Sequence, residues 1–247
     1  MSGLICAGDL MIALYGANGV VGGYLPAVNA TEMSINAPAP DIKERKSKMR
    51  ASFAQDLDSV SIPKTHTTTI ALDEFSGDTL AMAFSGTKNV LSQSLTPVTA
   101  QPITFDGNNW VELGYLNLSA ITVKDTGGTI TRVLGTDYEI NTRLGLIRSL
   151  PGGACVTGDT IGFTAGLVSG TSVDGATQSQ IDCKLLLDGK NLADGTDITV
   201  IVDKATLNSN GKVDFLASSF AGITLQGNCV TLAGKTSPYT VKQPIYG

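Results

Sequence analysis

Residues 41–59 read DIKERKSKMRASFAQDLDS. Lys43, Arg45, Lys46, Lys48 and Arg50 fall within eight residues, five of the 17 Lys and Arg in the chain. The run has little apolar periodicity and no Gly-rich turn of its own. Ala30–Ala37 before it and Thr65–Phe75 after it read as strands. A long polar connection between two strands is unusual in a compact domain and is generally functional or disordered. Met49, Phe53 and Leu57 recur at i, i+4 and i+8, a spacing that suits a short helix or an apolar anchor for a partner. Two readings stand: the loop becomes ordered against another copy of the chain, or it is an exposed disordered loop with no role.

Working outward, the chain has 247 residues, 28 of them glycine, with few aromatics and much Thr and Val. This favours strands and turns over helices. The length suits one large β domain, or one domain with a second inserted in it. Formal net charge is −5. Residues 41–50 hold five basic and two acidic residues, a local +3 that leaves −8 on the remainder. An acidic body with one basic arm suits self-association through opposite charges. It does not suit wrapping of nucleic acid, which needs a broad basic surface. The N-terminal MSGLICAGDLMIALYG lacks the basic start of a signal peptide, and no apolar run approaches the ~20 residues of a membrane span. Cys6, Cys155, Cys183 and Cys229 form no CxxC pair and read as reduced thiols. A protein made and folded in a cytoplasm, with no membrane partner, is expected.

Upstream of the arm, residues 8–15 read as a buried strand and Gly16–Gly23 as a flexible connection. Downstream, Thr68, Ile70 and Leu72 point one way and Thr69, Ala71 and Asp73 the other. Ser76-Gly77-Asp78 can cap a short helix over 78–85, with Leu80 and Phe84 facing a core. Residues 87–101 read as a loop. Strand candidates in the next part are 110–116, 120–124, 129–134, 138–140, 146–149 and 160–167, broken by Asp125-Thr126-Gly127-Gly128 and Pro151-Gly152-Gly153, as in a meander or small sandwich. Residues 169–178 read as a Gly/Ser/Thr linker. Ile181, Cys183, Leu185 and Leu187 then share a face opposite Asp182 and Lys184. Ile198, Val200 and Val202 lie opposite Asp197, Thr199, Ile201 and Asp203. Asn208–Gly211 is a turn signal, Val213–Phe215 and Ile223–Leu232 are further strands, and 235–247 is a tail that lies on a neighbour. The expected layout is 1–101 and 169–247 as one domain, with 102–168 inserted as a small β domain.

Catalytic patterns are weak. His66 stands alone in a Thr-rich strand, without the cluster a zinc site needs and without a GxSxG elbow; it reads as a surface or interface histidine. GANGVVGG at 16–23 lacks the GxGxxG spacing and a following helix, and Gly234-Lys235-Thr236 lacks the first glycine of a phosphate loop, because position 229 is cysteine. Asp56 with Asp58, and Asp73 with Glu74, read as solvated surface pairs rather than acid/base partners. No catalytic residue, cofactor or metal is expected.

The run from Ala30 to Thr87, ATEMSINAPAPDIKERKSKMRASFAQDLDSVSIPKTHTTTIALDEFSGDTLAMAFSGT, resembles the N-terminal half of the tail tube proteins of long-tailed bacteriophages. The resemblance rests on a strand ending in a charged stretch, a T-x-x-I-x-L-x-E/D strand and a helix of the T-L-A-x-A-x-x-G type. VLGTDYEINTRLGLIRSL (133–150) looks like an insert seen in such proteins, and 180–232 is similar to their closing strands. The resemblance implies a mainly β fold, a tail-tube-type sandwich or barrel with one short helix and a long inter-ring loop. It implies hexameric rings stacked into a tube, located in the virion tail, that passes genomic DNA without binding it specifically. Tape measure, terminator and distal tail proteins are the implied further partners. Lys43, Arg45, Lys46, Lys48, Met49, Arg50, Phe53 and Leu57 are then the expected ring-to-ring contacts, and Asp182, Lys184, Asp197 and Thr199 the expected pore-facing residues. The runner-up is a β-sandwich binding or decoration module, an adhesin or capsid decoration protein, with 102–168 as its recognition domain. Sizing separates the two.

Overall fold

The computed structural model describes residues 3–216, 218 and 221–244. The fold is mainly β. In chain order come β1 (Cys6–Tyr15), β2 (Val21–Tyr24), β3 (Ala30–Asn36), β4 (Asp41–Lys46), β5 (Asp56–Ile62), β6 (Thr67–Leu72) and α1 (Gly77–Ala83). Then follow β7 (Thr87–Gln93), β8 (Thr96–Pro102), β9 (Val111–Glu112), β10 (Leu118–Lys124), β11 (Tyr138–Asn141), β12 (Leu146–Ser149), β13 (Thr160–Ala165) and β14 (Val168–Asp174). The chain ends with β15 (Ile181–Asn191), β16 (Asp197–Ser209), β17 (Ile223–Cys229) and β18 (Tyr239–Lys242).

Two compact units result: 1–88 with 173–247, and 89–172. The insert is therefore longer than the expected 102–168. The expected loop 87–101 holds β7 and most of β8, and the expected linker 169–178 holds β14, which pairs with β7. Ladder hydrogen bonds to a partner strand make up for weak local strand propensity in both.

The first unit is one sheet in the order β2-β1-β15-β16-β17-β6-β3, with β18 added beside β16. It ends in free edges at β2 and β3 and is not closed into a barrel within the chain. Alternation decides the buried face, as period-2 side chains require. Thr68, Ile70 and Leu72 of β6 are all buried, as are Ile181, Cys183 and Leu185 of β15, with Leu10, Ile12, Leu207, Ile223 and Leu225 in the same core. In β16 the buried set changes phase, from Ile198 and Val202 to Ala205 and Leu207. Cys183 pairs with Ala205 and Leu185 with Val202, so Asp203 and Lys204 together oppose Lys184. This bulge lets one long strand serve β18 with its first half and β17 with its second. Gly227 sits where a Cβ would overlap the Thr206 carbonyl, so the β16–β17 contact needs glycine there.

Helix α1 forms where Ser76 caps it: the Ser76 hydroxyl accepts from Thr79 N–H at 3.2 Å, and Ser76 N–H donates to Thr79 Oγ1 at 2.7 Å. Such a cap is worth about 1 kcal/mol. The buried face is Thr79, Met82 and Ala83, while Leu80 and Phe84 are only half-buried. The expectation placed the stripe wrongly, because in a two-turn helix the neighbouring sheet selects the face. The expected strand 213–215 does not form. The tail partly folds back: β18 pairs with β16 of its own chain, and His66 Nδ1 lies 3.0 Å from the Tyr239 hydroxyl. Residues 245–247 of the expected tail lie outside the described residues.

The second unit packs two three-stranded sheets, β10-β13-β8 and β11-β12-β9, on a core of Leu113, Val123, Tyr138, Ile147, Ile161 and Phe163. The expected strand 129–134 is absent except for single bridges at Thr131 and Leu134. Carboxylates take its amides instead. Asp125 accepts from the N–H groups of Thr129 at 2.7 Å and Ile130 at 2.8 Å, and Asp137 from Val133 at 2.8 Å and Ala154 at 2.9 Å. The Ile130 N–H holds Asp125 below the usual carboxylate range, and the Ala154 and Val133 N–H groups do the same for Asp137. A depressed folded pKa contributes stability that is present above the unfolded value, about 4, and is lost as pH falls through the folded value. Acid titration followed by Trp110 fluorescence is therefore expected to show the second unit weakening only below about pH 4. Asp125→Asn with Asp137→Asn is expected to flatten that dependence.

Candidate interaction surface

The charged stretch is a hairpin rather than an irregular loop. β4 and β5 pair antiparallel, Asp41 with Ile62, Lys43 with Val60 and Arg45 with Asp58. The closing turn is built locally around Ser47, which is 2% exposed. Ser47 N–H donates to Gln55 C=O at 2.8 Å, Ala54 N–H to Ser47 C=O at 2.9 Å, and the Ser47 and Ser52 hydroxyls lie 2.7 Å apart. Ala54 takes a φ of 67°, the left-handed turn geometry. The expectation that this stretch gains its order only from another copy is corrected: short-range hydrogen bonds supply it.

The helix suggested by Met49, Phe53 and Leu57 does not form; Met49 and Phe53 lie in the turn and Leu57 in β5. All three remain in solvent, 73%, 72% and 52% exposed. Ile42, Val60 and Ile62, absent from the expected contact set, are exposed as well. Their signal was present in the sequence as apolar residues alternating with polar ones, Ile42 between Asp41 and Lys43, and Val60 and Ile62 either side of Ser61. Beyond each other, β4 and β5 make no substantial contact with a strand or helix. A concentrated set of exposed large apolar side chains marks an interaction surface.

The cations differ from expectation too. Lys43 pairs with Asp41 at 2.9 Å, Arg45 with Asp58 at 3.0 Å, and Lys46 with Glu44 and Asp56 at 3.7 Å each. These solvent-exposed pairs contribute little stability, but they neutralise most of the arm. Among the described residues Lys48 and Arg50 carry no ion pair.

Asp182, Lys184, Asp197 and Thr199 share one face of the first unit's sheet, the face opposite the core, by register through β15 and β16. The same face carries polar rows, Ser34, Thr69, Gln226 and Asn208 in one and Asn36, Thr67, Asn228, Thr206 and Asp182 in the next. Lys204 Nζ sits 2.7 Å from Asp182, the Thr206 hydroxyl donates to Asp182 at 2.7 Å, and Lys204 also lies over the Tyr15 ring at 5.2 Å. Burial alone would raise the Asp182 pKa; the hydrogen bonds from Lys204 and Thr206 and the Lys204 charge outweigh it and hold the carboxyl low. Lys184 lies over the Tyr24 ring at 6.0 Å. No pore is enclosed by the chain alone, since the sheet is open.

In the second unit Trp110 is 40% exposed with the Arg148 guanidinium 4.8 Å from its ring, and Arg148 is bonded to Glu139 at 2.6 Å. No group of three or more His, Cys, Asp or Glu that could hold a metal occurs among the described residues. Cys183 and Cys229 are buried, and burial pushes the Cys183 thiol up to about 12. No helix among the described residues is long and apolar enough to cross a membrane.

No curated protein matches the chain. A family model does, over residues 4–239: the chain belongs to the family described as protein of unknown function UCP028589.

Proposed function

We propose that this chain is a structural subunit that assembles with copies of itself into hexameric rings stacked as a phage tail tube, a conduit for DNA. The observation that carries the reading is the β4–β5 hairpin. Its strands and turn are hydrogen-bonded within the hairpin, it makes no substantial contact with another strand or helix of its chain, and it holds six large apolar side chains in water: Ile42, Met49, Phe53, Leu57, Val60 and Ile62. Such a surface is matched to burial against a partner. Two further features fit. The sheet has two free edges, which natural proteins cover or pair. Pairing β2 of one copy with β3 of the next would extend the sheet around a ring. The open polar face would then line the lumen, and the acidic body, −8 outside residues 41–50, would repel phosphate so that DNA slides rather than binds.

Purified full-length protein is expected to show rings or tubes by negative-stain microscopy and a mass well above 25.6 kDa on sizing. A stable monomer at high concentration would count against assembly. It would favour a binding module instead, with the exposed Trp110–Arg148 stack of the second unit as its contact surface.

A further inference from the structure

The chain holds two Asn-Gly pairs, Asn18-Gly19 and Asn210-Gly211. Asparagine is a labile side chain, and a following glycine has no Cβ to hinder attack on it. The reaction is internal. The glycine backbone nitrogen attacks the asparagine Cγ, the bond from Cγ to Nδ2 breaks, and ammonia leaves carrying the amide proton. Water then opens the cyclic imide at either carbonyl, giving aspartate or isoaspartate. Water is the only co-reactant.

All four residues are exposed, so access to water does not distinguish the pairs. Hydrogen bonding does. In the turn between β1 and β2, Gly19 N–H donates to Gly16 C=O at 2.9 Å and Asn18 Oδ1 accepts from Val20 N–H at 3.1 Å. Both the attacking nitrogen and the group it must reach are held. Just after β16 the situation is reversed. Among the described residues the Gly211 N–H has no hydrogen-bond partner. The Asn210 side chain is held only through Nδ2, which donates to Gln226 Oε1 at 2.7 Å. That bond steadies the leaving group and keeps the Asn210 side chain beside Gln226. Gly211 takes a φ of 149°, which glycine adopts at little cost, so the backbone selects the residue that leaves Asn210 open.

We propose that Asn210 is a site of spontaneous modification, whose conversion to aspartate or isoaspartate adds a carboxylate beside Gln226 on the polar face of the sheet. Each conversion takes the net charge one unit below −5. Isoaspartate also lengthens the backbone by one methylene where the chain leaves β16. Breaking one hydrogen bond before attack slows it roughly fivefold. Asn18 is therefore expected to convert at least about fivefold more slowly than Asn210 in the folded chain. The chemistry is independent of self-assembly, so its failure leaves that reading untouched.

The test incubates the full-length wild-type chain in mildly alkaline buffer, which favours loss of the amide proton. Peptide mass spectrometry follows amide-to-acid conversion at both sites, and enzymatic methylation of isoaspartate counts the isomer. A parallel sample in urea supplies the rates without the fold. Asn210 is expected to outpace Asn18 in the folded chain, and the two rates are expected to converge in urea. Equal rates in the folded chain, a faster Asn18, or an Asn210 that stays intact while the unfolded chain converts would overturn the proposal. Asn210→Ser is expected to remove most of the acidic species that accumulates on ion exchange. The same species growing at the wild-type rate in that variant would also overturn it. Should Asn210→Ser fail to fold, the wild-type rates decide alone.

Discussion

Asp159→Ala is expected to cost the second unit about 3–5 kcal/mol, the range for removing one partner of a buried pair. The Asp159 side chain is 0% exposed and that of Arg132 11%. Arg132 Nε donates to it at 2.7 Å and a second guanidinium nitrogen at 3.2 Å, and Val156 N–H and the Thr126 hydroxyl also point at it. The carboxylate thus joins three segments at once. Losing it strands a guanidinium with little water to solvate it, and the contact with Asp159 is what raises the Arg132 pKa. Urea unfolding followed by Trp110 is the direct measurement, because the single Trp of the chain lies in this unit. A double change to apolar residues, Arg132→Met with Asp159→Leu, is expected to lose much less, since neither charge is then left alone. A loss below about 1 kcal/mol for Asp159→Ala would show that water or another group replaces the carboxylate.

Deleting residues 43–57 is expected to abolish long tubes and leave a folded subunit. The hairpin strands bond to each other and make no substantial contact with another element, so their removal takes little from the cores of either unit. The deletion does remove Met49, Phe53 and Leu57 from the surface, together with all five clustered cations. Thermal melting and near-UV circular dichroism check the fold; negative-stain microscopy checks assembly. Tubes of wild-type length from the deletion would take away the main support for the proposed function. A milder pair of substitutions, Met49→Asp with Phe53→Asp, is expected to act in the same direction without altering the backbone. It adds charge where an apolar contact is required.

Much of the sheet was legible because alternation is a strong signal when one face is buried. Thr68-Ile70-Leu72 and Ile181-Cys183-Leu185 announce their faces residue by residue, and the structure buries all six. The helix was legible from its cap, Ser76, and not from its stripe. The stretch 129–134 misled because Thr-Ile-Thr-Arg-Val-Leu carries strand-like residues, whereas the amides of Thr129, Ile130 and Val133 go to Asp125 and Asp137. Those two acceptors are side chains, whose reach a periodicity argument does not include. β14 misled in the opposite sense: VSGTSVD looks like linker, and β7 makes it a strand.

The candidate surface divides in the same way. The residue types of the arm, its length and its place between two strands are read from the chain directly. Charge could not be read so simply, because five cations in eight residues suggest a basic arm while cross-strand and local pairing cancels three of them. By itself the sequence determined a mainly β protein, two strand-rich parts, one capped helix and an excursion rich in charge with exposed apolar residues. These follow from local periodicity, turn chemistry and composition, each a property of neighbouring residues. Tertiary structure alone decided that the excursion is a locally hydrogen-bonded hairpin and that the sheet stays open at both edges. Strand pairing and side-chain reach act between residues far apart in sequence, and only the folded chain brings those residues together.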